Sequence, residues 1–295
     1  VEVNPGTVDG EKFALLRQMG TNRLSIGVQS FCDRGLRLLG RVHSAAEAER
    51  AYARAREAGF ANVSLDLIFS VPGLPEEDWR YSVERAVDLG PEHVSAYALT
   101  IEEGTPFARR QRQGRLSPLS EEEDLRQYEW AVERLSQAGY EQYEVSNFAR
   151  PGYRSRHNWG YWTGAEYLGV GMSAHSFIDG VRFWNTRDLG GYLQAMEQGH
   201  SPRQAQEAID QDTARRERWW LGLRTDQGIV LSVEERACLA GESRFADLRK
   251  AGYVRLEGDR LRLTRPGLAL ADGLGVELTT ILERSPKPQR KPAAA

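Results

Sequence analysis

Four glycines punctuate the first half of the chain: Gly20, Gly59, Gly90 and Gly139. Each closes a run whose apolar residues recur at helical spacing, as a glycine past the end of a helix does, because it takes the left-handed conformation without a Cβ clash. Each is followed within a few residues by a β-type run: RLSIGV, NVSLDLIF, HVSAYAL and YEQYEVS. The intervening helices are also marked at their starts. Ser44 with Glu47, and Ser120 with Glu123, have the spacing of a capping box. Trp79, Val83, Ala86 and Val87 share one helical face, as do Leu125, Tyr128, Val132 and Leu135. Strands alternating with helices of this length mean βαβ units and a parallel sheet. Right-handed units in series close toward a barrel or wind an open sheet. The chain is therefore expected to be α/β.

The best-formed unit is Asn22–Arg41. Leu24, Ile26 and Val28 alternate with Ser25 and Gly27, and Gln29 ends the strand. A turn and a helical segment bearing Leu36 and Leu39 follow, then Arg41. Proteins built from such units carry their chemistry at the C-terminal ends of the strands. The polar residues found there are Glu2 and Asn4, Gln29, Asp66 and Thr100, from successive strands. Glu2 and Asp66 stand out because each interrupts an apolar strand (VEVNPG, VSLDLIFSVPG), where a buried carboxylate is costly unless paired or bound to a ligand. Taken singly, each of the others reads more readily as a satisfied polar residue in a βα turn.

A formal charge of −3 argues against a general nucleic-acid or membrane-surface binder. No apolar run reaches transmembrane length and no secretory signal opens the chain. The chain starts on Val, inside what reads as a strand, so a truncated start is expected. Cys32 and Cys238 are too far apart for a ligand motif and read as reduced thiols of a cytoplasmic protein. After Ser146 the texture changes: NFARPGYRSRHNWGYWTGAEYLGVGMSAHSF is rich in Gly, aromatics and His. HNWGYW reads as lying outside any periodic helix or strand, and GVGMSAHS as a final strand whose glycines allow close backbone approach to a ligand. From about residue 206 a helix carries Trp219, Trp220 and Leu223. Another helix and a hairpin follow, with Val254 and Leu256 before the turn and Leu261 and Leu263 after it. A last helix starts near Pro266. Three helices and a hairpin resemble a winged helix. No dense basic stripe accompanies the wing, which favours a helical cap over nucleic-acid binding. The expected layout is a barrel and its extension over 1–205, a helical winged-helix-like domain over 206–284, and a disordered Pro-rich basic tail over 285–295.

Taken together, VEVNPGT, NRLSIGVQSF, the arginine closing LLGR, SLDLIFSVPG, SAYALTIEEGTPF, YEVSNFARPG, HNWGYW and LGVGMSAHS resemble a radical S-adenosylmethionine (SAM) family. This family contains oxygen-independent coproporphyrinogen III oxidase and a HemW-like heme-chaperone branch. The order and spacing of these stretches cover nearly the whole chain. The resemblance implies a partial (β/α) barrel with a helical C-terminal region. It implies SAM contacts at Glu2, Gln29, Arg41, Asp66, Thr100 and His175. Arg41 offers a planar fork suited to the SAM carboxylate, and Glu2, Gln29 and Asp66 can accept from its ribose hydroxyls or ammonium. The pattern His-Asn-x-x-Tyr-Trp marks the chaperone branch, and here it is His157, Asn158, Tyr161 and Trp162. A histidine among aromatics can ligate heme iron while the rings pack on the macrocycle. His175 competes with His157 for the ligand role.

The family holds a [4Fe–4S] cluster on three cysteines after its first barrel strand and binds the methionine end of SAM on a Gly-rich loop after its second. Neither stretch is present, and the two absent βα units would amount to roughly 60–80 residues. The resemblance thus implies a cluster in the intact protein only, with the chain as given inactive in radical chemistry. The reading is a heme chaperone that binds heme and SAM and delivers heme to hemoproteins, including membrane-bound ones. A homodimer is left open, and no nucleic-acid partner is expected. The rival readings are a coproporphyrinogen III oxidase, against which HNWGYW discriminates, and a nucleic-acid-binding module led by the winged-helix-like end.

Overall fold

The computed structural model describes residues 1–284. The tail expected to be disordered, 285–295, lies outside the described residues. Two compact units part at Arg154 and Ser155. The sequence texture suggests a boundary at 205/206 instead. The earlier division follows from strand pairing, because the last strand of the first sheet ends at Ala149 and the next strands pair only with one another.

The first unit contains β1 (Glu2–Val3), α1 (Gly10–Gln18), β2 (Leu24–Gln29), α2 (Asp33–Leu38), α3 (Ala45–Glu57), β3 (Val63–Phe69), α4 (Glu76–Leu89) and β4 (His93–Ala98). It continues with α5 (Pro106–Arg112), α6 (Glu121–Gln137), β5 (Glu141–Glu144) and β6 (Asn147–Ala149). Its sheet runs β1-β2-β3-β4-β6-β5, with β1 to β4 parallel. Both capping boxes form, at Ser44/Glu47 and Ser120/Glu123, and Gly20, Gly59, Gly90 and Gly139 all have φ between +64° and +88°. YEQYEVS departs from the expected parallel unit. Its strand turns at Val145–Ser146 into β6, and β6 pairs antiparallel with both β5 and β4. So short a connection permits a hairpin and cannot span a parallel crossover.

Side chains alternate across the sheet at period two. Leu24, Ile26 and Val28 of β2 and Val63, Leu65 and Leu67 of β3 are fully buried. On that face Phe69 meets Trp79 of α4 at 5.6 Å between ring centroids and Tyr128 of α6 at 6.1 Å. The opposite face is polar. The register sets Glu2, Ser25, Ser64 and His93 in one cross-strand row, and Asp66, Ser95 and Asn147 in the next.

The second unit opens with α7 (Arg156–Trp162), then β7 (His175–Ile178), β8 (Val181–Asn185), α8 (Leu189–Glu197) and β9 (Arg203–Ala208). The strands form an antiparallel sheet in the order β7-β8-β9. There follow α9 (Gln211–Gly222), β10 (Ile229–Val230), α10 (Val233–Ala240), α11 (Ser243–Lys250), β11 (Val254–Glu257) and β12 (Arg260–Leu263). The hairpin expected here is present and gains β10 as a third strand, giving the wing-like sheet β10-β12-β11. Beyond it, α12 (Arg265–Leu268) and α13 (Ala271–Arg284) replace the single last helix. Trp219 and Leu223 are fully buried, and Trp219 donates its indole N–H to the buried Glu235. No described helix is long and apolar enough to cross a membrane.

Candidate functional site

The polar face of the first sheet is centred on Asp66. Ser25 donates its hydroxyl to the two carboxylate oxygens at 3.0 Å, and Ser64 donates at 3.2 Å. Ser95, opposite Asp66 on β4, is also hydrogen-bonded to it. Loss of solvation pushes the Asp66 pKa up, and the serine hydroxyls hold it down. Deeper on the same face, Ser64 Oγ lies 2.8 Å from His93 Nδ1, and His93 Nε2 lies 2.8 Å from the Tyr143 hydroxyl. His93 is 1% exposed and Tyr143 is fully buried. Burial, reinforced by the nearby Arg23, lowers the His93 pKa to about 3. Sequence reasoning did not single out Ser25, Ser64, His93, Ser95 or Tyr143. The available signal was a period-two polar face repeated on neighbouring strands: SLDL, HVSAY and LSIG.

The other residues assigned by resemblance are placed differently. Gln29 ends β2 at φ +67°, an unusual backbone for a non-glycine residue, and is buried. A Cβ on Gly27 would stand 2.7 Å from Gln29 Nε2 and 3.0 Å from Asn4 Oδ1. These two side chains therefore lie across Gly27, beside the Asp66 row. Glu2 is exposed, so it is not the buried carboxylate that the apolar strand suggests. Among the described residues β1 pairs on one side only, with β2, which leaves this side chain in water. Its charge still reaches Asp66, which it pushes further up in pKa. Arg41 is exposed in the loop between α2 and α3, and Thr100 is exposed beyond the end of β4.

Glu144 lies at the far edge of the polar face and is fully buried. It accepts from Ser146 N–H at 3.0 Å and from the Asn147 side-chain amide. The Asn147 carbonyl oxygen is buried without a partner. Burial raises the Glu144 pKa from 4.5 to about 7. The folded state thus keeps a proton that the unfolded chain releases. This contribution to stability is complete below pH 4.5 and is lost as pH rises through 7. Its size is on the order of 3 kcal/mol. Glu144→Gln, whose amide can donate to Asn147 once that side chain is turned, is expected to raise the urea midpoint near pH 8 and abolish this decline. An unchanged midpoint would count against a protonated Glu144.

In the second unit HNWGYW forms helix α7 and does not lie outside regular structure. Ser155 caps it by accepting from Asn158 N–H, and the helix packs on α9. The segment is short and aromatic, and tertiary packing supplies what local periodicity lacks. His157 is exposed and stands edge-on to Tyr161 at 4.8 Å, and Tyr161 stands edge-on to Tyr167 at 4.7 Å. Neither His157 ring nitrogen has a hydrogen-bond partner among the described residues. Trp162 and Asn158 are half-buried. His175, at the start of β7, is exposed and stacks on Trp184 at 5.6 Å. It belongs to the β7-β8-β9 sheet and not to a last barrel strand. The close backbone approach expected of the neighbouring glycines is internal: a Cβ on Gly169 would stand 2.0 Å from the His175 carbonyl oxygen.

Cys32 and Cys238 lie one in each unit and form no disulfide with one another. Among the described residues no three His, Cys, Asp or Glu side chains converge as metal ligands. The described residues of this chain therefore do not fit the three-thiolate requirement of a [4Fe–4S] cluster. The polar face offers groups of the kind SAM needs, since the Asp66 carboxyl and the Gln29 side chain can accept from a ribose diol or an ammonium.

Residues 1–86 match the model of the Radical SAM superfamily. The chain is 40% identical over 273 residues to heme chaperone HemW of Mycobacterium tuberculosis, covering 92% of this chain and 69% of that protein. It is 37% identical over 277 residues to heme chaperone HemW of Bacillus subtilis, covering 92% and 73%. Among solved structures, the radical SAM enzyme coproporphyrinogen III oxidase (HemN) of Escherichia coli superposes with a TM-score of 0.73 at 22% identity, covering 96% of this chain and 69% of that one. That likeness fixes the fold as the HemN-like radical SAM partial barrel with its C-terminal domain.

Proposed function

The chain belongs to the HemW heme-chaperone family of the radical SAM superfamily, and on that premise we propose that it binds heme on its second unit, binds SAM on the polar face of its barrel sheet, and hands heme to recipient hemoproteins. The observation that carries the heme half is His157: an exposed imidazole whose nitrogens make no hydrogen bond among the described residues, braced edge-on by Tyr161 at 4.8 Å. A neutral imidazole is a strong iron ligand, and aromatic faces pack well on a porphyrin. Asn158, Tyr161 and Trp162 line the same short helix. His175, stacked on Trp184, is the second candidate for the iron. In this reading the protein works in the cytoplasm and its recipients include membrane-bound hemoproteins. The alternative, oxidative decarboxylation of coproporphyrinogen III, draws on the fold alone.

For SAM, Asp66 and Gln29 would hold the ribose diol or ammonium, Glu2 would add negative charge at the same edge, and Arg41, from the loop between α2 and α3, and Thr100, from beyond the end of β4, would meet the ligand. SAM when bound supplies a cationic sulfonium, which an acidic strand edge favours. Replacing Asp66 with Ala is expected to weaken SAM at least ~10-fold, about 1.4 kcal/mol, while leaving hemin affinity unchanged. Equilibrium dialysis with labelled SAM, beside a hemin titration of the same variant, checks both halves. Parent-like SAM binding in Asp66→Ala would remove Asp66 from the site.

A further inference from the structure

Ser64 has one hydroxyl proton and two neighbours that could take it, Asp66 Oδ1 at 3.2 Å and His93 Nδ1 at 2.8 Å. With Asp66 ionised, two arrangements connect the row. In the first, Tyr143 O–H donates to His93 Nε2, His93 Nδ1–H donates to Ser64 Oγ, and Ser64 O–H donates to Asp66. In the second, Ser64 donates to His93 Nδ1, His93 Nε2–H donates to the Tyr143 oxygen, and Asp66 loses the Ser64 donor. A hydrogen bond to an ionised carboxylate is about twice as strong as a neutral one. Burial also makes an unfilled acceptor position on Asp66 costly.

We infer that His93 is a positioning residue, held by Tyr143 with its proton on Nδ1, that commits the Ser64 hydroxyl to Asp66 and so presets the carboxylate for its ligand. Within the row, β4 and β5 act on Asp66 through β3 without touching the ligand. The imidazole stays uncharged because burial and Arg23 both oppose a second proton. Arg23 is itself tied to Asn62 Oδ1 at 2.7 Å, which keeps that positive charge close. Aligned donors in a low-dielectric row reinforce one another, so the effect on Asp66 exceeds that of an isolated serine. The ligand half of this inference rests on Asp66 being a SAM contact; the direction of the hydrogen bonds does not.

The test is long-range proton–nitrogen spectroscopy of the full chain labelled with nitrogen-15 at histidine, the His93 signals being assigned by their loss in His93→Asn. The expected pattern is the neutral Nδ1–H tautomer, unchanged between pH 5.5 and 8. Ser64→Ala removes the acceptor and is expected to move the proton to Nε2, where the Tyr143 oxygen can accept it. A purely packed histidine would keep its tautomer. In SAM dialysis, His93→Phe is expected to weaken binding roughly threefold or more. His93→Asn, which keeps an N–H near the Nδ1 position, should recover most of that loss. An Nε2–H tautomer in the parent, a titrating imidazolium, or an unmoved proton in Ser64→Ala overturns the inference. A parent Nδ1–H tautomer together with SAM binding that ignores Asp66→Ala overturns the SAM reading of Asp66 and leaves the relay standing.

Discussion

Acidification below pH 6.5 is expected to strip stability from the barrel unit, by about 5 kcal/mol at the limit. The group responsible is His93, 1% exposed, whose pKa falls from 6.5 unfolded to about 3 folded. The unfolded chain takes up a proton in this window and the folded chain does not. The contribution is therefore whole above pH 6.5 and drains away as pH falls toward 3. A loss of that size is comparable to the whole stability of many domains. Glu144 acts in the opposite sense between pH 4.5 and 7, so the two partly cancel there. The His93 effect is cleanest in the Glu144→Gln background. Urea midpoints of that variant, followed by tryptophan fluorescence, are expected to fall steadily from pH 7 to pH 4.5, and a further His93→Gln change should flatten the slope. Equal slopes with and without His93 would show that the imidazole is solvated in the folded state.

Replacing His157 with Ala is expected to weaken hemin binding at least ~10-fold, about 1.4 kcal/mol, and to shift the Soret band. Its position makes this readable. His157 is exposed on α7, so its removal opens no cavity, and the Ser155 cap that starts the helix is untouched. The fold should therefore survive, as far-ultraviolet circular dichroism and an unchanged urea midpoint would show. Loss of the imidazole also frees the Tyr161 edge, whose contact with Tyr167 remains. If the variant binds hemin with the parent spectrum, His157 is not the ligand. The same measurement on His175→Ala then decides whether the Trp184-stacked imidazole holds the iron.

Much of the barrel unit was legible because its signals are local. Capping boxes at Ser44 and Ser120 and left-handed glycines at 20, 59, 90 and 139 depend on a few neighbouring residues, and all of them form. Asp66 was legible for a related reason: a carboxylate inside VSLDLIF needs partners, and three serines supply them. Glu2 shows where that argument stops. The same pattern on a strand that pairs on one side only among the described residues leaves the side chain in water. The direction of β5 was hidden because a run after a helix-ending glycine looks alike whether its strand pairs parallel or antiparallel. The turn at Val145–Ser146 decides it. Helix α7 was hidden because HNWGYW carries no helical stripe of its own. The Ser64–His93–Tyr143 row was hidden because its members are 29 and 50 positions apart and only the register of β3, β4 and β5 assembles them.

A chaperone must release its cargo to an acceptor, and this is the most direct test. The chain is loaded with hemin, freed of excess, and mixed in a stopped-flow spectrometer with increasing concentrations of an apo-hemoprotein. The expected result is saturable one-to-one hemin loading, followed by transfer whose rate climbs with acceptor concentration, as direct hand-off between proteins requires. A transfer rate independent of acceptor concentration and equal to the free dissociation rate, or hemin uptake that never saturates, would contradict the account.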